Sequence, residues 1–330
     1  MSTDATSENG ERACRCEAFA AVTERAAVAA GRWLGRGDVA GAEKAAAEAM
    51  RSALDELPID GSVVIGNEED GDALAIGTTV GHGGERVDLA VDPIEGATIV
   101  ARGDYGAMSM IAVGEFESLP RLPNMYMRKL AVGPTARGQI DLAKPVAENV
   151  AAIAAAYGRN PQDITTIVLD RPRHEDLIED VRTAGSRIKL IPDGDVTASI
   201  SAAIRGTNDH LAIGIGGARQ AVISAAALRC LGGELQAQLW PATRTEITQA
   251  AEHGIDDVRR VFTTDELAPG HVIVAATGVS NSDLLRGVRY LADSARTHSV
   301  VMCTRHNWVK FIDGIHFFAR ERREEVRLLT

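Results

Sequence analysis

Aromatic side chains and long apolar runs are both scarce in this sequence. Tryptophan, tyrosine and phenylalanine together make up 4% of the 330 residues, so the core must be built mainly from alanine, valine, isoleucine and leucine. No apolar run approaches the ~20 residues that a helix needs to cross a bilayer. The sequence therefore predicts neither a membrane-spanning segment nor a membrane partner.

Positive charge is also in short supply. The chain has 35 lysine and arginine residues against 46 aspartate and glutamate residues, which gives a formal net charge of -11. Proteins that bind the phosphate backbone of nucleic acids need a basic face, so we expect no nucleic-acid partner. The net charge does not exclude small phosphorylated ligands, because they need only a local basic pocket or a metal ion.

Cysteine is rare, and no zinc-binding spacing is matched by Cys14, Cys16, Cys230 and Cys303. A C-x-C pair without a matching second pair is a weak signal. Residues 1–12 are polar, are expected to be disordered, and lack the apolar stretch of a secretory signal. We therefore expect a cytoplasmic protein with reduced thiols.

The hydrophobic periodicity predicts helices that pack on a sheet in the first part of the chain. Helices are predicted at 16–34 and 40–57, and strands at 62–65, 87–91 and 108–113. Beyond residue 145 strands and helices alternate, which is typical of α/β architecture, with strands predicted at 164–169 and 188–191 and helices at 175–184 and 218–231 among them. We predict an α/β fold with an N-terminal α+β subdomain over 13–145 and a C-terminal α/β subdomain over 146–330.

Four polar clusters follow predicted strands, and ligands of α/β sheets collect at the carboxyl ends of strands. The clusters are Asp92-Pro93-Ile94-Glu95, Asp170–His174, Pro192–Asp195 and Gly214–Gly217. One such cluster would be an ordinary loop. Four clusters with complementary chemistry predict a ligand site.

Each cluster has a functional and a simpler interpretation. Asp92 and Glu95, three residues apart across Pro93, predict a site for Mg²⁺ or Mn²⁺, but they are also consistent with solvated acids at a loop or helix start. Arg171 and Arg173 predict a phosphate or carboxylate site.

The simpler interpretation of the two arginines is an ion pair with Glu175 or Asp176. Asp193 and Asp195 predict acceptors for sugar hydroxyls, and the simpler interpretation is an N-cap by Asp195.

A family resemblance extends over nearly the whole chain and is far more specific than any one motif. The stretches that carry it are RWLGRGD (32–38), IDGSVVIG (59–66), VDLAVDPIEG (87–96), NMYMRKLAVGP (124–134), RPRH (171–174), IPDGDVTASI (191–200), GIGGA (214–218) and VIVAATGVSNSDLLRGV (272–288). They resemble the class II fructose-1,6-bisphosphatases, within the lithium-sensitive, metal-dependent sugar and inositol phosphatases.

The resemblance implies a layered α/β/α/β/α fold of two packed subdomains, a phosphorylated sugar substrate, Mg²⁺ or Mn²⁺ as cofactor, and a homodimer or homotetramer. Asp92 and Glu95 match metal-binding acids of the family's D-P-x-E-G motif, and the Ile94 carbonyl is a further candidate ligand. The positions implied for the sugar and its second phosphate are Gly96, Tyr126, Arg171, Arg173, Asp193, Gly194 and Asp195.

The departures from the family pattern concern the catalytic and metal positions. The family's helix acid, usually Asp, falls on Glu43, and a loop glutamate that binds metal falls on Asn67, with Glu68 or Glu69 as a substitute if the loop is re-registered. A second metal-binding glutamate falls on Gln220. The threonine assigned a part in activating water falls on Ala97.

These departures predict weaker metal binding, with fewer ions or none, and impaired hydrolysis at a site made by Asp92, Glu95, Glu43 and Ala97. General acid–base assistance is worth roughly 10²–10⁴ in rate, so a lost hydroxyl matters. Three functions stay open: a divergent phosphatase, an isomerase or epimerase of a phosphosugar with Glu95, Glu43 or His174 as base, and a catalytically silent binding paralogue.

Overall fold

The computed structural model describes residues 15–67 and 72–318. The strands in this part of the chain, in order, are Ile59–Ile65 (β1), Thr79–Val80 (β2), Glu85–Glu95 (β3), Met108–Glu115 (β4), Tyr126–Val132 (β5), Thr165–Leu169 (β6), Arg187–Ile191 (β7), Leu211–Gly217 (β8), Glu234–Leu239 (β9), Val261–Thr263 (β10), Val272–Gly278 (β11), Arg289–Tyr290 (β12), Ser294–Cys303 (β13) and Trp308–Phe317 (β14).

The helices of the same described residues are Ala18–Gly31 (α1), Val39–Asp55 (α2), Ala97–Arg102 (α3), Val146–Tyr157 (α4), Glu175–Thr183 (α5), Asp195–Ala203 (α6), Ala218–Leu231 (α7), Arg244–Glu252 (α8) and Thr264–Leu267 (α9). None of these helices is both long and apolar enough to cross a bilayer.

The strands form two sheets. The first has eight strands, in the order β12-β13-β11-β4-β3-β1-β2, with β14 also paired to β13. The second has six strands, in the order β10-β9-β5-β8-β6-β7. Strands β1 and β3 are parallel, as are β6 with β7 and with β8, while the pairings of β4 and β5 are antiparallel.

Helices fill three layers around these sheets. Helices α1 and α2 pack on the outer face of the first sheet, α6 and α7 lie between the sheets, and α4 and α5 cover the outer face of the second. The order of layers is α/β/α/β/α, so the predicted fold class is confirmed.

Helix α7 shows why the middle layer forms. Its sequence, ARQAVISAAALRCL, has small apolar side chains on almost every side, and nine of its residues are buried. A helix that is apolar all round is stable only when it is enclosed. The alanines let both sheets approach the helix closely, which is how a core with few aromatic residues is filled.

The sheets do not follow the subdomain division predicted at residues 145 and 146. Strand β5, before that point, belongs to the second sheet, and β11–β14, far beyond it, hydrogen-bond into the first. The sequence pattern also gave no strand for β5, β9 or β14. Charged and polar residues interrupt these strands, and β14 is exposed over much of its length.

Candidate functional site

Strand β3 continues through both acids of the DPIEG motif instead of ending before them. Its register with β4 shifts between Asp92 and Glu95, which marks a bulge at Pro93-Ile94. Proline has no N–H to donate to a ladder, so it is tolerated at such an irregularity. The bulge lets both acids belong to one strand end and still approach each other.

The carboxyl groups of Asp92 and Glu95 are close enough to affect each other's pKa. Glu95 is 5% exposed and accepts a hydrogen bond of 2.8 Å from the backbone N–H of Val196, while Asp92 is partly exposed. Burial, and then the neighbouring negative charge of Asp92, raises the pKa of Glu95 well above its usual range. Burial also raises the pKa of Asp92. Two negative charges are therefore disfavoured at this place, and a bound cation would offset them.

Asp92 lies on the wall of a cleft of about 230 Å³ whose lining contains most of the predicted metal positions. Glu43 from α2, Asn67 at the end of β1 and Gln220 from α7 share this cleft. The Gln220 amide donates to Asp92 Oδ2 at 3.5 Å. Three elements distant in sequence thus bring oxygen-bearing side chains to one place.

The carboxylates of the cleft lie apart from one another. In the described part of the chain, no three of them place an oxygen within 4.8 Å of each other. Like charges repel, and the cation Arg219 lies on the same wall, where its Nη1 donates to the Gly66 carbonyl at 3.3 Å. Of the predicted metal positions, Glu68, like its alternative Glu69, lies outside the described residues.

Ala97 begins helix α3 directly after Gly96, which adopts the left-handed conformation at φ 87°. The Ala97 side chain is 8% exposed and packs with the apolar cluster beneath α1 and α2. The next residue supplies a hydroxyl, but Thr98 Oγ1 donates to Asp193 Oδ2 at 2.7 Å. This hydroxyl points away from the Ala97 position, as expected.

The two arginines lie beside the predicted sugar-binding residues. Arg173 donates through Nε and Nη2 to the Ile215 carbonyl at 3.2 and 2.9 Å, and its guanidinium lies 4.8 Å from the centre of the Tyr126 ring. Arg171 approaches Asp193 at 3.9 Å. Among the described residues, the arginines make these contacts and not the alternative ion pairs with Glu175 or Asp176 of helix α5.

Asp195 is held by a buried lysine. Lys129 is 5% exposed, and its Nζ donates to Asp195 Oδ2 at 2.5 Å. A Cβ on Gly216 would lie 1.9 Å from the same carboxylate oxygen, so glycine is required there for this approach. The residue at the N-cap of α6 is Gly194, at φ 93°, so the alternative of an N-cap by Asp195 is wrong.

His174 anchors the turn that carries the arginines. Its Nδ1 lies 2.8 Å from the Leu169 carbonyl, and its Nε2 accepts from the Ile215 N–H at 2.8 Å. Burial lowers the pKa of this imidazole. Both ring nitrogens are engaged with the backbone in a neutral ring, which does not suit His174 to act as a base.

The strand and helix that carry Glu95 and Ala97 are linked by two hydrogen bonds to helix α6 and the loop before it. Glu95 bonds to Val196 of helix α6, and Thr98 of helix α3 bonds to Asp193 in the loop before α6. Glu95 and Thr98 thereby contact the segment that carries Asp193 and Asp195, the predicted acceptors for sugar hydroxyls.

Comparison with known proteins identifies a family for the chain. The family described as "Bacterial fructose-1,6-bisphosphatase, glpX-encoded" matches residues 15–316. A relative named D-fructose 1,6-bisphosphatase class 2/sedoheptulose 1,7-bisphosphatase, from Synechococcus sp. (strain JA-3-3Ab), is 41% identical over 89% of this chain and 93% of its own length. A relative of the same name from Crocosphaera subtropica is 39% identical over 93% of this chain and 97% of its own length.

The chain belongs to this class II bisphosphatase family. It is accordingly a phosphatase, a hydrolase of carbohydrate metabolism. The resemblance seen in the sequence is thus confirmed at the level of the family. The matched residues 15–316 include Asp92 and Glu95, the turn with Arg171 and Arg173, and strand β5 with Lys129.

Three residues of this class II site were missed by the sequence reasoning. Lys129 is a charged residue within an otherwise buried stretch of strand β5, which is a signal for a buried ion pair. Asp72 lies in the metal-type cleft and accepts from the Asn67 amide at 3.1 Å. Thr98 carries no separate signal in the sequence, because its contact with Asp193 spans two sheets.

Proposed function

We propose that this class II family member is a divalent-metal-dependent phosphatase of a ketose bisphosphate, of the fructose-1,6-bisphosphate or sedoheptulose-1,7-bisphosphate type. The relatives named above carry both substrates in their names. The observation that carries the proposal is the contact of Glu95 and Thr98 with the segment that bears Asp193 and Asp195. One end of the proposed site offers carboxylate and amide oxygens, and the other offers two guanidinium groups.

The arginine end is suited to the phosphate that does not react. The Ile215 carbonyl accepts hydrogen bonds from two N–H groups of Arg173, and the Tyr126 ring lies against the guanidinium. These contacts hold the guanidinium in a fixed plane. Its other N–H groups and those of Arg171 are available for phosphate oxygens. In this proposal Asp193 and Asp195 accept hydrogen bonds from sugar hydroxyls, with Lys129 fixing Asp195.

The cleft is suited to a hard divalent cation, since its donors are carboxylate and amide oxygens. We assign Asp92, Glu95 and Glu43 as its acids and the Asn67 and Gln220 carbonyl oxygens as neutral ligands. When bound, Mg²⁺ or Mn²⁺ supplies positive charge to the attacking and leaving oxygens of phosphoryl transfer. The protein's own part is to hold the acids on the bulge of β3.

Asp72 supplies the carboxylate that Asn67 lacks. It lines the same cleft, and its Oδ2 accepts the Asn67 amide while its Oδ1 accepts the Leu74 N–H at 2.8 Å. The side chain is therefore already fixed beside the cleft. With Asp92, Glu95 and Glu43 it gives four candidate acids for the metal, so we infer that hydrolysis is retained at a reduced rate.

The proposal is tested by measuring phosphate release from sugar mono- and bisphosphates, with Mg²⁺ and with Mn²⁺, while the sugar is followed by NMR. We expect metal-dependent release of one phosphate, faster from ketose bisphosphates than from monophosphates. A changed sugar skeleton without phosphate release would instead assign an isomerase or epimerase. Binding of the sugar phosphate without any turnover would assign a silent paralogue.

The altered residues are tested by restoring them together, as Ala97→Thr, Asn67→Glu and Gln220→Glu. If they limit the reaction, kcat should rise by roughly 10²-fold or more, the scale of acid–base assistance and metal-charge effects. The matched control adds the same two charges at the exposed residues Gln139 and Gln249, as glutamates. Unchanged activity of the restored variant would contradict our interpretation of these positions.

The cytoplasmic location and the homodimeric or homotetrameric assembly stay predictions from the sequence.

A further inference from the structure

Two cysteines and a histidine from distant parts of the sequence meet at one end of the first sheet. Cys16 lies two residues before the start of helix α1, Cys303 is the last residue of β13, and His306 lies in the turn to β14. The ligand atoms of all three lie within 4.8 Å of one another, and no other group of this kind occurs in the described residues.

Both sulfur atoms lie close to the same ring nitrogen. His306 Nδ1 is 3.4 Å from Cys16 Sγ and 3.3 Å from Cys303 Sγ. A zinc ion with Zn–S bonds of ~2.3 Å and Zn–N bonds of ~2.0 Å at tetrahedral angles separates sulfur from nitrogen by about 3.5 Å. The observed separations match this value.

We propose that Cys16, Cys303 and His306 bind one zinc ion at a site separate from the phosphatase centre. Thiolate and imidazole ligands at tetrahedral spacing select zinc over Mg²⁺ or Mn²⁺, which prefer oxygen. Cys16 and Cys303 are thiols and are 2% and 1% exposed, while the exposed imidazole of His306 leaves a way in for the ion.

The register of the sheet separates the two metal sites. Cys303 pairs with Ile273, Ile273 with Val113, and Val113 with Leu89, which precedes Asp92 by three residues. Three steps of ~4.8 Å between strands and three residues of ~3.3 Å place Asp92 about 17 Å away. A metal at the thiols therefore has a structural role.

The zinc ion joins the start of helix α1 to the β13–β14 hairpin. The same two elements are linked by the ion pair of Glu17 with Lys310, and His306 stacks on Trp308 at 5.5 Å between ring centres. Cys14, two positions before Cys16, lies outside the described residues. The proposal therefore names three protein ligands.

The experiment measures zinc in the full-length purified chain and its replacement by Co²⁺. We expect about one zinc per chain, and a Co²⁺ spectrum with a thiolate charge-transfer band and intense visible bands of tetrahedral coordination. His306→Ala removes an exposed ligand and should weaken zinc affinity by about 100-fold or more, at least the loss seen for outer-shell partners. Cys303→Ser should reduce the charge-transfer band.

Two controls separate this site from others. Burial raises the pKa of the Cys230 thiol to about 12, and Cys230→Ser should leave zinc content and spectrum unchanged. Asp92→Asn alters the phosphatase cleft and should also leave the thiolate band intact. Because His306 is exposed, His306→Ala should fold, and its zinc affinity can be measured even if the variant of buried Cys303 fails to fold.

The proposal is overturned if Co²⁺ gives no thiolate band, or if the band and the zinc affinity are unchanged in His306→Ala. It is also overturned if the unreduced chain carries no zinc and its intact mass shows a Cys16–Cys303 disulfide. Phosphate release by the variants is read separately, so failure of the zinc proposal leaves the phosphatase assignment unaffected.

Discussion

The residue after Ala97, Thr98, carries a hydroxyl that is already bonded to Asp193. A shift of one residue along helix α3 therefore does not restore the group that the family places here. The DPIEG acids could be recognised from the sequence because they are neighbours along one strand. The contacts of Asp72 and Lys129 could not, because each depends on a fold that brings separate segments together.

The role of Asp72 leads to a prediction for metal activation. Asp72→Asn removes one carboxylate from the cleft but keeps a similar shape, so the remaining donors attract a cation less strongly. The Mg²⁺ or Mn²⁺ concentration for half-maximal activity should rise by about 10-fold or more, at least the effect of losing an outer-shell partner. A metal titration of phosphate release measures the change.

The control for Asp72 is Asp60→Asn, the same substitution at the other end of β1, where the side chain is exposed and pairs with Arg86 at 3.7 Å. That variant should keep the metal requirement of the unaltered chain. If Asp72→Asn also keeps it while Glu68→Gln raises it, the predicted re-registered glutamate is the ligand and Asp72 is not.

Elements with a strong apolar period were predicted well. Helix α7 was predicted at its observed bounds, and β6, β7 and α5 lay within one residue of theirs. Strand β14 could not be predicted, since its residues are mostly exposed or half-buried and show no clear alternation. It exists because it pairs with β13 along ten residues, which is a property of the folded sheet.

The turn after β6 depends on His174, which leads to a prediction about pH. Burial lowers the pKa of His174, so the folded state favours the neutral ring. Its stabilising contribution is fully present above the unfolded pKa of about 6.5 and is lost as pH falls below that value toward the lower folded pKa. His174→Gln should therefore flatten the loss of unfolding free energy between about pH 7.5 and 5.5.

The same substitution should lower stability at neutral pH by about 1–3 kcal/mol, because the Leu169 carbonyl loses its donor. It should also raise KM, because the turn no longer fixes Arg173 against Ile215. Urea unfolding across this pH range measures the slope, with His82→Gln at an exposed histidine as control. Parallel pH profiles of His174→Gln and the unaltered chain would refute the assignment.

At the scale of the whole molecule, the chain leaves the first sheet after β4 and returns to it at β11. Helix α7 contacts strands of both sheets, and one apolar cluster includes residues of both. The α/β class follows from local periodicity. The return of β11–β14 does not, because sheet partners more than 160 residues apart leave no local pattern, as with Met110 and Ala276.

This interleaving predicts that residues 1–145 do not fold alone. The fragment lacks β11, the partner of β4, and β4 is buried at every position except its last. It should aggregate or give a poorly dispersed NMR spectrum. The control expresses 1–145 and 146–330 together: the break lies in the exposed segment 143–145, so the two pieces should assemble into one folded complex. A monomeric 1–145 fragment that unfolds cooperatively would instead establish the predicted N-terminal subdomain as an independent unit.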